Sequence, residues 1–331
     1  MNQENSHAAA QVTVVVVSFN TREVLRTCLE RLVSETAGLR SQVIVVDNAS
    51  RDGSADMVAQ AFPQFELVRS TANLGFAAAN NVGFRRALGR YVVLLNPDAF
   101  LGEGSLARVM ARMDATPGAG LAGGRLLDRN GKLEPSGRLF PSLFNELLVR
   151  SGLAARFPRS RMFGRFDRTW ADPGQDARVD WVPGAFAIIR RAALDAIGHF
   201  DERFFLYYEE VDLCRRIAAA GYQIWYWPEV WATHLGGESS KTVTTEDSSS
   251  SGAQLTLWRM RSGLLYYRKH HGRLGVWLAA QLELGWNRLR LLRTGHGSDS
   301  GRRARIGREL ALIQRAWAET AGGSICPPKP W

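Results

Sequence analysis

The chain has only three cysteines in 331 residues, Cys28, Cys214 and Cys326, far apart and with no CxxC pair. So sparse and odd a set predicts reduced thiols, with neither a disulfide frame nor a zinc site. Long apolar runs are missing: no stretch approaches the roughly 20 residues of a spanning helix. The opening MNQENSHAAAQ is polar and has no apolar signal core, which predicts no export. Neither GxGxxG nor GxxxxGK[ST] follows the first apolar run, so a dinucleotide fold and a P-loop are both unsupported. Internal repeats are absent as well. What remains is an ordinary globular composition, 45% hydrophobic and 22% charged.

The charge is unevenly spread. The formal net charge is +10, and residues 251–331 carry all of it, with 14 Lys and Arg against 4 Asp and Glu. The same segment holds Trp258, Tyr266, Tyr267, Trp277 and Trp286. A neutral body with a basic, aromatic tail predicts an anionic partner, such as lipid headgroups or a phospholipid-linked substrate. No nucleic-acid-binding motif accompanies the charge, so nucleic acid is not expected.

Strands and helices alternate through the first half. Val12–Val17, Val43–Val46 and Tyr91–Leu95 are short, continuous and β-branched, as strands buried on both faces are. Helical spacing fills Arg22–Glu35, Ser54–Phe62 and Phe76–Leu88. This order predicts an α/β fold with a doubly wound, mostly parallel sheet. Ligands of such sheets bind at the carboxyl ends of the strands. The strands run into Ser18-Phe19-Asn20, Asp47-Asn48 and Asn96-Pro97-Asp98. Residues 116–180, irregular and rich in Gly, Pro and Arg, read as connections with a few short strands or helices. Further on, Trp181–Arg190 reads as a loop entering a strand, and Asp201–Ala220 as a helix opened by an acidic cluster. Gln223–Trp227 and Val230–His234 return to strand character, and the Ser/Thr-rich 237–252 reads as a flexible loop. The expected organisation is a disordered 1–11, a catalytic domain over 12–236, that loop, and a basic helical extension over 253–331 with a loop near Thr294–Gly301.

Taken together, VVVVSFN, VVDNASRDGS, NLGFAAANN, LLNPDA, WVPGAF and YYEEVDLCRRIAAAGY resemble the family 2 glycosyltransferases of GT-A fold, rhamnosyltransferase-like branch. The resemblance covers about residues 12–236. It implies an inverting, metal-dependent transfer of a sugar from a nucleotide diphosphate. Such a reaction needs a divalent cation, Mg²⁺ or Mn²⁺, to neutralise the departing diphosphate. Asp98 stands where the family's DxD-type motif ends, with Asn96 in place of its first acid. His234 lies 24 residues after Glu210, the interval at which relatives carry a metal-binding histidine. An inverting transfer also needs one carboxylate to take the acceptor's proton. Glu210 occupies the position of the family's basic Asp, with Glu209 and Asp212 expected to orient the site.

The resemblance places the nucleotide sugar on Ser18, Phe19, Asn20, Asp47, Asn48, Asn96 and the Asn73–Asn81 stretch, notably Asn73, Gly75 and Asn80. Trp181, Pro183 and Gly184 resemble the acceptor loop, where an indole stacks on a sugar. The branch points to L-rhamnose from dTDP-rhamnose, passed to a saccharide or polyprenyl-diphosphate-linked saccharide in bacterial surface polysaccharide synthesis. A UDP-hexose donor is the alternative, as is a catalytically degenerate nucleotide-sugar or glycan-binding protein. Leu274–Leu292, apolar over much of its circumference and flanked by arginine, fits an interfacial helix on an anionic leaflet. A helix packed against the catalytic domain would have the same sequence. The expected address is cytoplasmic, peripherally on the inner face of the membrane.

Overall fold

The computed structural model describes residues 10–237, 251–294 and 300–329. Most of residues 1–11 and of 237–252, expected to be disordered and flexible, thus lie outside the described residues. The β-branched run beginning at Val12 becomes β1 (Val12–Ser18), buried along its whole length. It pairs in parallel with β2 (Ser41–Asp47) on one side and β4 (Tyr91–Leu95) on the other, and β2 carries β3 (Glu66–Arg69). Two further central strands are β6 (Ala119–Leu127) and β9 (Phe186–Arg190). The second half of the sheet is completed by the long β10 (Gln223–His234), with β5 (Ala99–Leu101), β7 (Leu133–Glu134) and β8 (Ala177–Arg178) at its margins. The order is β3-β2-β1-β4-β9-β6-β10-β5. β9 runs antiparallel to both neighbours, β4 and β6, so the sheet is mixed but mostly parallel.

Side chains alternate across this sheet, and helices cover both faces. Val12, Val14 and Val16 point into a core closed by α1 (Arg22–Thr36), α2 (Ser54–Ala61) and α4 (Ser105–Ala115). Val15, Val92 and Leu94 point the other way, toward α3 (Phe76–Arg86), α7 (Arg191–Ile197) and α8 (Glu209–Ala219). Two short helices, α5 (Leu143–Arg150) and α6 (Leu153–Arg156), interrupt the connection before β8. The tail forms α9 (Ser251–Arg293), broken at Gly272 (φ 70°), and α10 (Ser300–Glu319). The loop expected near Thr294–Gly301 falls mainly on 295–299, outside the described residues.

Two expectations need correction. Residues 116–180 hold more than connections with a few short elements, because β6 is a nine-residue strand in the middle of the sheet. Its sequence, AGLAGGRLL, has too much glycine to read as a strand, but the glycines answer to crowding. A Cβ on Gly123 would meet the Val182 side chain at 2.9 Å, and one on Gly124 would run into the Val230 carbonyl. The two runs after Gln223 are one strand, with a register shift between Trp227 and Trp231 around Pro228, which cannot donate to a ladder.

The tail is partly core. Leu264, Leu265, Tyr266 and Tyr267 are buried against the α8 side of the sheet, and Trp258 is buried against Phe205. Arg261 is paired with Glu319, joining α9 to α10. Beyond the break, however, Leu274, Trp277, Leu278, Leu289 and Leu292 are exposed. Their spacing puts them on one side of the helix. Among the described residues no helix is long and apolar enough to cross a membrane.

Gly124→Ala should lower stability by about 1–3 kcal/mol through overpacking against Val230. In a urea titration the midpoint should fall while the slope stays constant.

Candidate active site

The carboxyl ends of β1, β2 and β4 open into a cleft of about 280 Å³, walled by Phe19, Asn48, Asn73, Gly75, Asn96 and Asp98 and closed by the tail residues Gln254, Leu255 and Trp258. Turn chemistry shapes its floor. Asn20, in a left-handed conformation (φ 51°), accepts from the Arg51 amide at 2.7 Å and donates its own N–H to Ser50 Oγ at 3.0 Å. The loops after β1 and β2 are thereby tied together. Asn48 Nδ2 donates to Asn73 Oδ1 (2.9 Å), and its Oδ1 accepts from the Leu74 amide (2.8 Å). At Gly75 (φ 84°) a Cβ would come within 2.6 Å of Phe205, so only glycine fits.

Not every expected residue faces this cleft. Ser18 is fully buried, its hydroxyl 2.9 Å from Thr21 Oγ1. Asn80 donates to the Phe76 carbonyl one turn back and lies on no cleft wall. Asp47 accepts from the Ser50 amide through Oδ2, while its buried Oδ1 has no protein partner.

A second cleft, about 520 Å³, adjoins the first, and Tyr207 and His234 wall both. It is lined by Glu134, Arg138, Trp181, Pro183, Glu210 and Arg259 among others. Trp181 donates its indole N–H to the Leu139 carbonyl (2.8 Å), and the Arg138 guanidinium lies 5.1 Å from its ring centroid. One face of the indole is therefore already covered by Arg138.

The acidic trio diverges. Tyr207 (φ 70°) and Tyr208 (φ 67°) are consecutive left-handed residues that turn the chain into α8, so the acids enter its first turn. There the helix dipole favours negative charge. Glu210 receives backbone hydrogen bonds from Gly184 and Val211, and its Oε2 is buried without a protein partner. Burial raises its pKa, against its own amide and the Arg138 charge. Gly184, expected in the acceptor loop, thus holds the candidate base. Glu209 is buried outside both clefts, and burial together with the Glu210 charge lifts its pKa well above the usual carboxylate range. Asp212 does not join them. It is fully buried on the far side, meeting His270 Nε2 and Lys269 Nζ at 2.7 Å each and Arg216 Nε at 2.9 Å. The expected orienting role in the site is replaced by a latch between α8 and the tail, because helical spacing turns residue 212 away from residue 210.

At the junction of the clefts, His234 Nε2 lies 3.5 Å from Asp98 Oδ1 and Nδ1 lies 3.4 Å from Glu134 Oε2. Burial disfavours the imidazolium, yet the two carboxylates hold its pKa above the ordinary value. Asn96 Oδ1 is buried beside them in the first cleft with no protein partner. One carboxylate, one imidazole and an orphaned amide oxygen suit Mn²⁺ or Mg²⁺. No group of three or more His, Cys, Asp or Glu fit to hold a metal occurs among the described residues, so phosphate and water would have to complete the shell. Glu134 on the far imidazole nitrogen is the partner that orients a ligating histidine.

The profile described as Glycosyl transferase family 2 matches residues 13–198. The chain belongs to this family. It is 31% identical over 214 residues to an N-acetylglucosaminyl-diphospho-decaprenol L-rhamnosyltransferase of Mycobacterium tuberculosis, covering 60% of this chain and 67% of the relative. Rhamnosyltransferase WbbL of Escherichia coli K12 is 24% identical over 267 residues, 77% of this chain and 92% of its own. A mannosyltransferase of Pyrobaculum calidifontis, solved with GDP-Man and Mn²⁺, shares the fold with TM-score 0.55 and 19% identity, over 96% of this chain and 85% of that one. The protein is a glycosyltransferase of GT-A fold, similar to rhamnosyltransferases.

Sequence reasoning missed Glu134, Arg138, Tyr207, Trp258 and Arg259. Four lie in segments read as connections or as an appended tail, where no periodicity marks a site. Tyr207 had a signal, since it stands directly before the acidic cluster.

Glu209→Gln tests the buried carboxyl. A folded pKa above the unfolded one means that stability falls as pH rises through that interval. The amide should therefore match wild type near pH 4 and exceed it at pH 7.5 by about 1 kcal/mol or more. Denaturant melts at the two pH values read the difference.

Proposed function

We propose that the protein transfers L-rhamnose from dTDP-rhamnose, with inversion, to a saccharide carried on a polyprenyl diphosphate in surface polysaccharide synthesis. The observation that carries the mechanism is Glu210, held through Gly184 yet keeping one buried carboxylate oxygen without a protein partner, in a cleft that adjoins the one holding Asp98. The acceptor hydroxyl loses its proton to Glu210 while its oxygen attacks the anomeric carbon from the second cleft. The bond to the diphosphate breaks on the opposite side, and the nucleotide diphosphate leaves from the first. One displacement with one carboxylate inverts the configuration. The raised pKa of Glu210 brings the base nearer to neutrality.

Asp98 and His234, with Asn96 Oδ1, are the residues that would hold the divalent cation, which supplies charge neutralisation for the departing diphosphate. Asn48, which walls the donor cleft, is suited to bond the edge of a thymine or uracil. The donor cleft's apolar wall of Phe76, Phe205, Leu206 and Trp258 favours a 6-deoxyhexose over a hexose. Such a wall accepts the C6 methyl and leaves a C6 hydroxyl unsatisfied.

The exposed Leu274, Trp277, Leu278, Leu289 and Leu292, flanked by exposed Arg273, Arg288 and Arg293, make a stripe for an anionic leaflet on the cytoplasmic side. That surface would bring the clefts to a lipid-anchored acceptor.

Donor binding and slow hydrolysis across a panel of nucleotide sugars, with Mn²⁺, Mg²⁺ or chelator, test this reading. dTDP-rhamnose should be preferred and metal should be required. Glu210→Gln should retain donor binding while transfer falls on the order of 10²–10⁴-fold. Asp98→Ala should abolish the metal dependence of binding. Absence of binding to every donor with either metal would sink the proposal. In flotation with vesicles, Leu274→Ser with Trp277→Ser should lose binding to anionic but not to zwitterionic lipid, where little is expected from the start.

A further inference from the structure

Behind the acceptor cleft lies a cavity of about 310 Å³ that the transfer itself does not use. It is enclosed by α5, by α9 on both sides of its break and by α10. Four residues, Glu146, Val149, Tyr208 and Arg259, wall both spaces, so the cavity continues directly from the cleft that holds Glu210.

Its chemistry is specific. Arg150 lies 3.0 Å from Glu283 and 3.5 Å from Glu146, and Arg259 adds a second guanidinium. Two carboxylates against two guanidinium groups leave the walls without net charge. An anion would meet Glu146 and Glu283, and a cation would meet Arg150 and Arg259. A long alkyl chain would strand this ion pair away from water, at a cost that burying it among methylenes does not repay. An uncharged ligand rich in hydroxyls suits all of them, since carboxylates accept from hydroxyls and guanidinium groups donate to them. Leu264, Ala280 and Ile313 supply apolar surface for C–H faces. Tyr267 gives an independent pointer. It is 4% exposed and lines the cavity, yet its hydroxyl is buried with no hydrogen-bond partner. A buried hydroxyl left unpaired is costly, and such groups normally have a ligand or water to bond.

We infer that this cavity is a second sugar subsite, which takes the residue next to the acceptor sugar, so that the enzyme reads at least a disaccharide. The inference rests on the transferase reading for its place in the reaction, but binding to the cavity does not depend on turnover. The ligand is a pyranose, free or carried on a lipid diphosphate. The carrier contributes nothing within the cavity.

The test is a calorimetric titration of the full-length protein with methyl glycosides of mono- and disaccharides built from N-acetylglucosamine, galactose and rhamnose. At least one disaccharide should bind about tenfold more tightly than either of its component monosaccharides, the gain of one or two added hydrogen bonds. Tyr267→Phe, which keeps the ring, should reduce that preference about threefold to tenfold. Ala279→Phe, which fills the cavity from a half-buried position, should abolish it. Both variants should hydrolyse the donor at the wild-type rate, which shows that they are folded. Farnesyl diphosphate serves as the competing probe. The inference is overturned if every disaccharide binds like its monosaccharides, or if both variants keep the preference. It is equally overturned if Ala279→Phe loses farnesyl diphosphate binding and keeps the sugars, which would make the cavity a lipid channel. A protein that hydrolyses no donor yet shows the disaccharide preference would refute the transferase proposal and leave the subsite standing.

Discussion

Two consecutive tyrosines in the left-handed region govern the site. Each non-glycine residue held there costs about 1–3 kcal/mol, so the surrounding structure must over-determine the Tyr207–Tyr208 turn. It does so from three directions. The Phe205 carbonyl accepts from the Phe76 amide at 2.7 Å, Phe205 stacks on Trp258 at 4.4 Å, and Ser262 Oγ donates to the Leu206 carbonyl at 2.8 Å. The first of these needs a glycine at position 75, and the other two need the tail. The turn, the loop at Gly75 and α9 are one interlocked unit, and Glu210 reaches the second cleft only because of it.

Within that unit, three neighbouring acids meet three different environments. Glu210 keeps a buried oxygen without a protein partner beside the second cleft, Glu209 is buried close to it, and Asp212 is surrounded by three cationic or imidazole groups. Burial raises the pKa of the glutamates, while Asp212 is held below the usual range despite burial, through His270, Arg216 and Lys269. The same kind of side chain thus faces a cleft at one position and fastens the tail at another. The difference lies in which side of the helix each faces, not in residue type.

Much of this was legible in the linear chain. The continuous β-branched runs and the short polar residues that end them located the sheet and its carboxyl edge, since a strand buried on both faces leaves few other solutions. Asp98, His234 and Glu210 stand at strand or helix ends, where sequence position and spatial position nearly coincide. Asp212 was misread because adjacency to Glu210 in sequence suggested adjacency in the site, and helical rotation separates them. β6 escaped because its glycines answer to neighbours 59 and more residues downstream, such as Val182 and Val230. Trp258 and Arg259 escaped for the same reason. Their place in the clefts is a property of how the tail packs, and no local pattern encodes that.

His234 and Tyr207 are walls of both clefts at once. A ligand in the first cleft and one in the second would touch the same two side chains, and any coupling carried through them would be equal in both directions. A shared wall also means that a change at either residue cannot be confined to one substrate.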